Sequence, residues 1–475
     1  MKNKLSDWLK KFPSEWSEVQ KQRAKTLFLK KVSLELHKFY GGKIEISPKA
    51  GLWDFDFLNL WYTPGVSAVS TAIRDDNSKS LELTFRGNSV AIVSDSTRVL
   101  GDGDCTSPGG LGVMEGKAYL MNYLGGIDAF PICINSKDEN GVPSANKIVE
   151  FVKMCSPSFS AINLEDISYP NCYTALDRLR KECNIPVWHD DAQGTACVVV
   201  AGIINSLRLT NRKIKDTKFV LIGAGASNTT VASFLLQMGA KNIILFDSRG
   251  ALHNQRRDLE VKNSRGWELC QKTNPQRINT IETAIKGSDF IIALSKPNPK
   301  TIKGEWIGMM NKKPIVFACA NPIPEIYPHL AIEAGAYIVA TGRGDYPNQI
   351  NNSLGFPGIL KGTILCRAKK ITDKMAIQAS YAIADFSAKE GMNSKKIVTK
   401  MENPLLHAFV ASKVACAAIA EGVAQKNKSE KQFFNLAKND ILTAQKKMKW
   451  MMKLIKKPKK DIFKKCLYSV IAEIK

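Results

Sequence analysis

Short apolar runs separated by helix-length segments constrain the fold of this chain more than any other feature. SVAIVSD, IDAFPICI, SAINLED and IPVWHDD follow one another between about residues 88 and 190, with NKIVEFVKMC and YTALDRLRKE among the segments between them. Runs of this kind read as buried strands, and their alternation with amphipathic helices predicts βαβ units around a largely parallel sheet. A second series, KFVLIGAG, NIILFD, DFIIALS, PIVFACANP and AYIVATG, predicts a second α/β layer system. GTACVVVAGIINSLRL reads as a helix between the two series, residues 1–40 as helical around Trp8, Phe12, Trp16 and Phe28, and Thr372 to Ala424 as small-residue helices that pack back on the sheets.

Length and composition fit this picture. A chain of 475 residues, 44% hydrophobic and 24% charged, holds two to three domains with a sizeable core. No run approaches the unbroken apolar stretch of a spanning helix. The first residues, MKNKLSDWLKKFPSEW, have no apolar signal core, and Asp7, Glu15 and Glu18 oppose an organelle-targeting helix. The expected placement is cytoplasmic, with an organelle matrix as the alternative. Eleven cysteines, odd in number and without a C-x-x-C spacing, read as small core residues of a reducing compartment. Net charge is +24, but residues 425–475 alone hold 15 Lys and 4 acids, a surplus of +11. The rest is spread as surface lysine and is not interleaved with aromatics, which argues against nucleic acid. The tail itself reads as a solvated or frayed appendage, with a membrane-facing basic helix around KKMKWMMKLIKKPKK as the less favoured reading.

Two acidic pairs carry the chemistry. Glu165 and Asp166 end the run SAINL, and Asp190 and Asp191 follow IPVWH 25 residues later. In open α/β sheets the carboxyl ends of strands face the ligand crevice, so four carboxylates converge there. That charge needs a cation, and hard oxygen ligands select Mg²⁺ or Mn²⁺ over zinc. His189 beside them reads as a packing or supporting residue.

KFVLIGAGASNTTVASFLLQMGAKNIILFD is a strand, a glycine turn, a helix and a second strand. Gly223 and Gly225 allow close approach of a pyrophosphate to the helix amino terminus at Ala226. Asp247 at the end of the next strand is placed for a ribose diol, as in NAD, whereas Arg249 would face the 2′-phosphate of NADP. The third small residue of the fingerprint is replaced by Asn228, which is expected to separate or tilt helix and strand.

YTPGV (62–66), VMEGKA (113–118), INLEDI (162–167), HDDAQGTA (189–196), GAGA (223–226), ANPIPEI (320–326) and TGRGDYPNQINNSLGFPGI (341–359) occur together in this order. Over roughly residues 35–424 the chain resembles the malic enzymes, most of all their compact bacterial type. The resemblance implies an N-terminal α/β substrate and metal domain (1–195), a doubly wound Rossmann-type NAD(P)-binding domain with returning helices (196–424) and the basic tail (425–475). It also implies oxidative decarboxylation of L-malate to pyruvate and CO₂ with NAD or NADP and Mg²⁺ or Mn²⁺, by a homodimer or higher oligomer. On the matching positions, Glu165, Asp166 and Asp191 are the implied metal ligands, and Lys117 is the general base with Asp190 beside it. Tyr62 is the implied general acid, Arg98 and Asn352 the substrate contacts, and Asn321 a cofactor contact. Depression of the Lys117 pKa by burial and neighbouring cations, bound metal and Arg98 among them, is what such a base requires.

The loop LGDGDCTSPGGLG departs from the family pattern: it introduces Asp102 and places Thr106 where relatives have glycine. Malolactic decarboxylation of malate to lactate, and a catalytically weakened protein that binds through its basic tail, stand as the alternative functions.

Overall fold

In the computed structural model, which describes residues 4–99 and 102–474, the first four apolar runs form one sheet. β1 (Ser89–Ser94), β2 (Asp128–Cys133), β3 (Ala161–Leu164) and β4 (Val187–His189) lie in the order β2-β1-β3-β4. Every pairing is parallel. Each crossover is helical, through Leu111–Gly125, Ala145–Cys155 and Asn171–Glu182. β1 is buried along its whole length, as an unbroken SVAIVS run in a sheet covered on both faces should be.

The second sheet contains β5 (Lys218–Ile222), β6 (Asn242–Asp247), the two-residue β7 (Gly250–Ala251), β8 (Phe290–Ala293), β9 (Ile315–Ala318) and β10 (Ile338–Thr341). Its order is β10-β9-β8-β5-β6-β7, parallel except for β7. The chain leaves β5 toward β6 on one side and returns as β8 on the other. A crevice therefore opens at the carboxyl ends of β5 and β8, the switch point of a doubly wound sheet.

Thr195–Thr210 is apolar on every side, and Ala196 through Leu207 are all buried. Together with the turn at Asp190 it is the one helix, among the described residues, long and apolar enough to cross a membrane, yet 83% of that window is buried inside the fold. It is a core helix. One hydrophobic cluster joins it to Val90 and Ile92 of the first sheet and Phe219 and Phe317 of the second, with Met375, Ile383, Val410 and Val414 from the returning helices Asp373–Lys389 and Pro404–Ala420.

The chain divides into two compact units, residues 51–445 and residues 1–50 with 446–475. Both sheets belong to the first of these, and the helix from Thr195 lies in the core they share. The expectation of a frayed tail from residue 425 is corrected. Phe433, Ala437 and Ile441 recur at helical spacing and are buried, the last two against Ala408 and Ala411. Farther on, the Lys460–Ile474 helix places Phe463 on Trp8 at 5.5 Å between ring centroids and shares a cluster with Phe28, Val32 and Val470. Apolar residues spaced for a helix face outweigh the lysines between them, of which Lys464 and Lys465 stay exposed.

Candidate active site

Parallel pairing of β3 and β4 sets the site. Leu164 is registered opposite His189, so the residues that follow each strand emerge side by side. Glu165, Asp166 and Asp191 each offer a carboxylate oxygen within 4.8 Å of the others. Asp166 adopts a left-handed φ of 51° and donates its N–H to Asp191 Oδ2 at 2.8 Å. Lys117, from the Leu111–Gly125 helix, reaches Asp190 Oδ2 at 2.6 Å and Glu165 Oε1 at 2.8 Å. Its Nζ lies 4.3 Å from the centre of the Phe356 ring. The acids are held from behind: Asn163 donates to Glu165 Oε2 at 2.7 Å, and Trp188 Nε1 donates to Asp190 Oδ1 at 3.0 Å.

Electrostatics at this cluster favours a bound cation. Burial raises the Glu165 carboxyl well above its ordinary range; Lys117 opposes this, and Asp191, Asp190 and Asp166 add to it. Burial pulls Lys117 down, but Asp190, Glu165 and Asp191 outweigh burial and hold it as an ammonium. This corrects the expectation of a depressed lysine: the nearest charges are acids. Four acidic groups face one ammonium in a largely buried place, an excess of acid over base that a divalent ion would offset. Oxygen-only donors suit Mg²⁺ or Mn²⁺.

The remaining site residues are placed unevenly. Arg98 donates its backbone N–H to the Asp166 carbonyl at 3.0 Å, which sets its exposed side chain at the rim. Asp95, three residues earlier, accepts from Thr97 and Ser136. Asn352 is half-buried in the turn that precedes Phe356. Asn321 is exposed after β9, next to a cis bond to Pro322, and so close to Gly342 that a Cβ there would stand 2.6 Å from its Nδ2. His189 is buried, accepts the Ala192 N–H at its Nδ1, and caps the turn. Tyr62 is not brought into the buried cluster; it is 71% exposed.

At the second sheet, Gly223 has φ 97°, and a Cβ would stand 2.7 Å from the Leu294 carbonyl, so only glycine fits. Gly225 faces open space and precedes the Ala226–Gln237 helix, whose first turn carries no side-chain cap; its amides are available to an anion. Asn228 binds the turn. Its Nδ2 donates to the carbonyls of Ile222 at 3.0 Å and Gly223 at 2.9 Å, joining helix to strand where a separation was expected. The two centres are linked: Ser227 Oγ donates to the Asp191 carbonyl at 2.8 Å.

Sequence reasoning missed Asn163, Trp188, Gly194 and Arg256. The first two were accessible to it, because residues two apart on a strand share a face, and Asn163 and Trp188 each stand two before an acid. Gly194 acts within its own turn, against Asp190 four residues earlier, and Arg256 reaches Asp247 back across nine residues.

Proton, hydride and electron-sink chemistry thus meet at neighbouring crevices, an arrangement that defines a metal-assisted, dinucleotide-dependent dehydrogenase. Residues 41–180 match the family model described as malic enzyme, N-terminal domain, and residues 192–419 match malic enzyme, NAD binding domain. The chain belongs to the malic enzyme family and is an NAD(P)-dependent oxidoreductase. It is 44% identical over 388 residues to the NAD-dependent malic enzyme of Geobacillus stearothermophilus, covering 82% of this chain and 79% of the relative. Identity to the bifunctional malic/malolactic enzyme of Bacillus subtilis (strain 168) is 40% over 400 residues, covering 84% and 95%. Among solved structures, the malic enzyme of Entamoeba histolytica superposes with a TM-score of 0.96 at 51% identity, covering 99% of this chain and 98% of that one.

Proposed function

We propose that this chain oxidises and decarboxylates L-malate to pyruvate and CO₂ through the cluster around Lys117. The observation that carries this reading is the contact of one buried lysine with two acids, Glu165 and Asp190, the first of which also belongs to the oxygen-ligand triad. Glu165, Asp166 and Asp191 would hold a divalent ion, which would supply Lewis acidity and an electron sink for the decarboxylation. The Gly223–Ala226 turn would hold a dinucleotide, which would supply the hydride acceptor.

Asp190, at 2.6 Å, accepts the ammonium proton of Lys117, and the neutral amine then takes the C2 hydroxyl proton. Phe356 and Trp188 keep this end of the site apolar, which strengthens each charge–charge contact. Arg98 at the rim receives a substrate carboxylate, and Asn352 and Asn321 orient substrate and nicotinamide.

Tyr62 protonates the enolate carbon, in a homodimer whose second copy covers residues 51–88. Support for the dimer comes from exposure. Ser80 alone is buried in that segment, while Leu52, Trp53, Phe55, Trp61 and Tyr62 are each at least half exposed.

With L-malate, Mn²⁺ and NAD⁺ or NADP⁺, absorbance at 340 nm should rise in step with pyruvate. Release of lactate without accumulation of reduced cofactor would instead establish the malolactic reaction.

A further inference from the structure

Asp247 closes β6 at the place where a ribose diol would need an open carboxylate, and that carboxylate is already occupied. Arg256 meets it end-on, Nη1 to Oδ1 at 3.1 Å and Nη2 to Oδ2 at 2.7 Å, while the Arg249 N–H donates to Oδ1 at 2.8 Å. The remaining reach of Arg256 goes to Asp258, Nε to Oδ1 at 2.8 Å and Nη2 to Oδ2 at 3.0 Å. Hydrogen bonds from Asp258 and then Asp247 raise the already high pKa of this guanidinium, so it stays charged. Its side chain is only 13% exposed, and its donors are engaged. Arg249 differs: its side chain is 65% exposed and touches Asp258 through one long contact of 3.3 Å.

These two arginines set opposite halves of a selection rule. A diol donates hydrogen bonds and seeks an anionic acceptor; a 2′-phosphate seeks a cation and is repelled by an uncompensated carboxylate. Arg256 neutralises Asp247 in bidentate geometry, which removes the repulsion and much of the acceptor strength together. Arg249 then offers an exposed guanidinium two residues beyond the strand end. If it swings to a phosphate, Asp258 keeps its pairing with Arg256 and no buried charge is stranded.

We propose that this chain prefers the 2′-phosphorylated dinucleotide, with Arg249 anchoring the phosphate and Arg256 acting as a positioning residue that cancels Asp247. The inference rests on the reading of β5 to β6 as the dinucleotide site. Calorimetric titration of the full-length protein with NADP⁺ and with NAD⁺, in the absence of malate, tests it. NADP⁺ should bind about tenfold tighter or more. Arg249→Ala should abolish that advantage while leaving NAD⁺ affinity within about twofold, and Arg256→Gln should narrow or reverse the ratio by freeing Asp247. Because Arg249 is exposed, its variant keeps the test valid even where Arg256→Gln folds poorly. Equal or tighter NAD⁺ binding by the unmodified protein, or an equal loss of both nucleotides in Arg249→Ala, overturns the preference. Failure of both nucleotides to bind overturns the site itself.

Discussion

A Cβ added to Gly194 would stand 1.9 Å from Asp190 Oδ1. The absence of a side chain at 194 is therefore what lets a fully buried Asp190 lie against its own turn and still reach Lys117 at 2.6 Å. Gly194→Ala should displace the carboxylate by an ångström or more and lower kcat about 100-fold, with nucleotide affinity retained. Steady-state kinetics beside nucleotide titration check this; a variant with unchanged kcat would remove Asp190 from the chemistry.

Metal affinity should depend on a residue that touches no metal. Asn163 is buried and fixes Glu165 Oε2 by a 2.7 Å hydrogen bond. Asn163→Ala is expected to weaken Mn²⁺ binding about 10- to 100-fold, read from the Mn²⁺ concentration at half-maximal activity and from direct titration. Unaltered Mn²⁺ affinity would mean that Glu165 needs no such orientation.

Much of this centre was legible in sequence because strand ends announce themselves. The runs ending at Leu164 and His189 fixed which acids converge, and the glycine turn after Ile222 fixed the crevice. Asp247 was placed correctly at the end of β6, yet its partner Arg256 lies nine residues on, beyond β7, in a loop whose path no periodicity reveals. Lys117 could be named but its charge balance could not, since that depends on three acids reached across tertiary contacts. The tail was misread because its lysine count hid the apolar face of the Lys460–Ile474 helix, buried through Phe463, Leu467 and Val470.

Glu325 predicts a pH dependence of stability. It is buried, accepts the Ser295 and Ala320 N–H groups at 2.9 Å each, and burial pushes its carboxyl up to about 7 against these bonds. The folded state thus holds this proton more tightly than the unfolded chain, whose carboxyl titrates near 4.5. The associated stability is fully present below the unfolded value and is lost as pH rises through about 7. Relative to Glu325→Gln, the unmodified protein should lose about 3 kcal/mol between pH 5 and pH 8 in urea unfolding. A difference independent of pH would contradict the buried-carboxyl reading.

Thr106 gives a prediction of the opposite sign. Its φ is 63°, a left-handed conformation that a β-branched residue adopts at a cost, and Asp104 Oδ1 holds its N–H at 3.0 Å. Leu100 and Gly101 of the same loop lie outside the described residues. The backbone thus keeps a shape that suits glycine. Thr106→Gly should stabilise the protein by about 1 kcal/mol in thermal or urea unfolding. Destabilisation would show that the Thr side chain contributes more than its strain removes.

The most direct test of the account is Lys117→Ala, assayed for malate-dependent reduction of NAD(P)⁺ with Mn²⁺ and titrated in parallel for nucleotide binding. Turnover should fall to background while the nucleotide binds as it does to the unmodified protein. Undiminished turnover in that variant would contradict the assignment of the buried lysine, and with it the mechanism built around the acidic cluster.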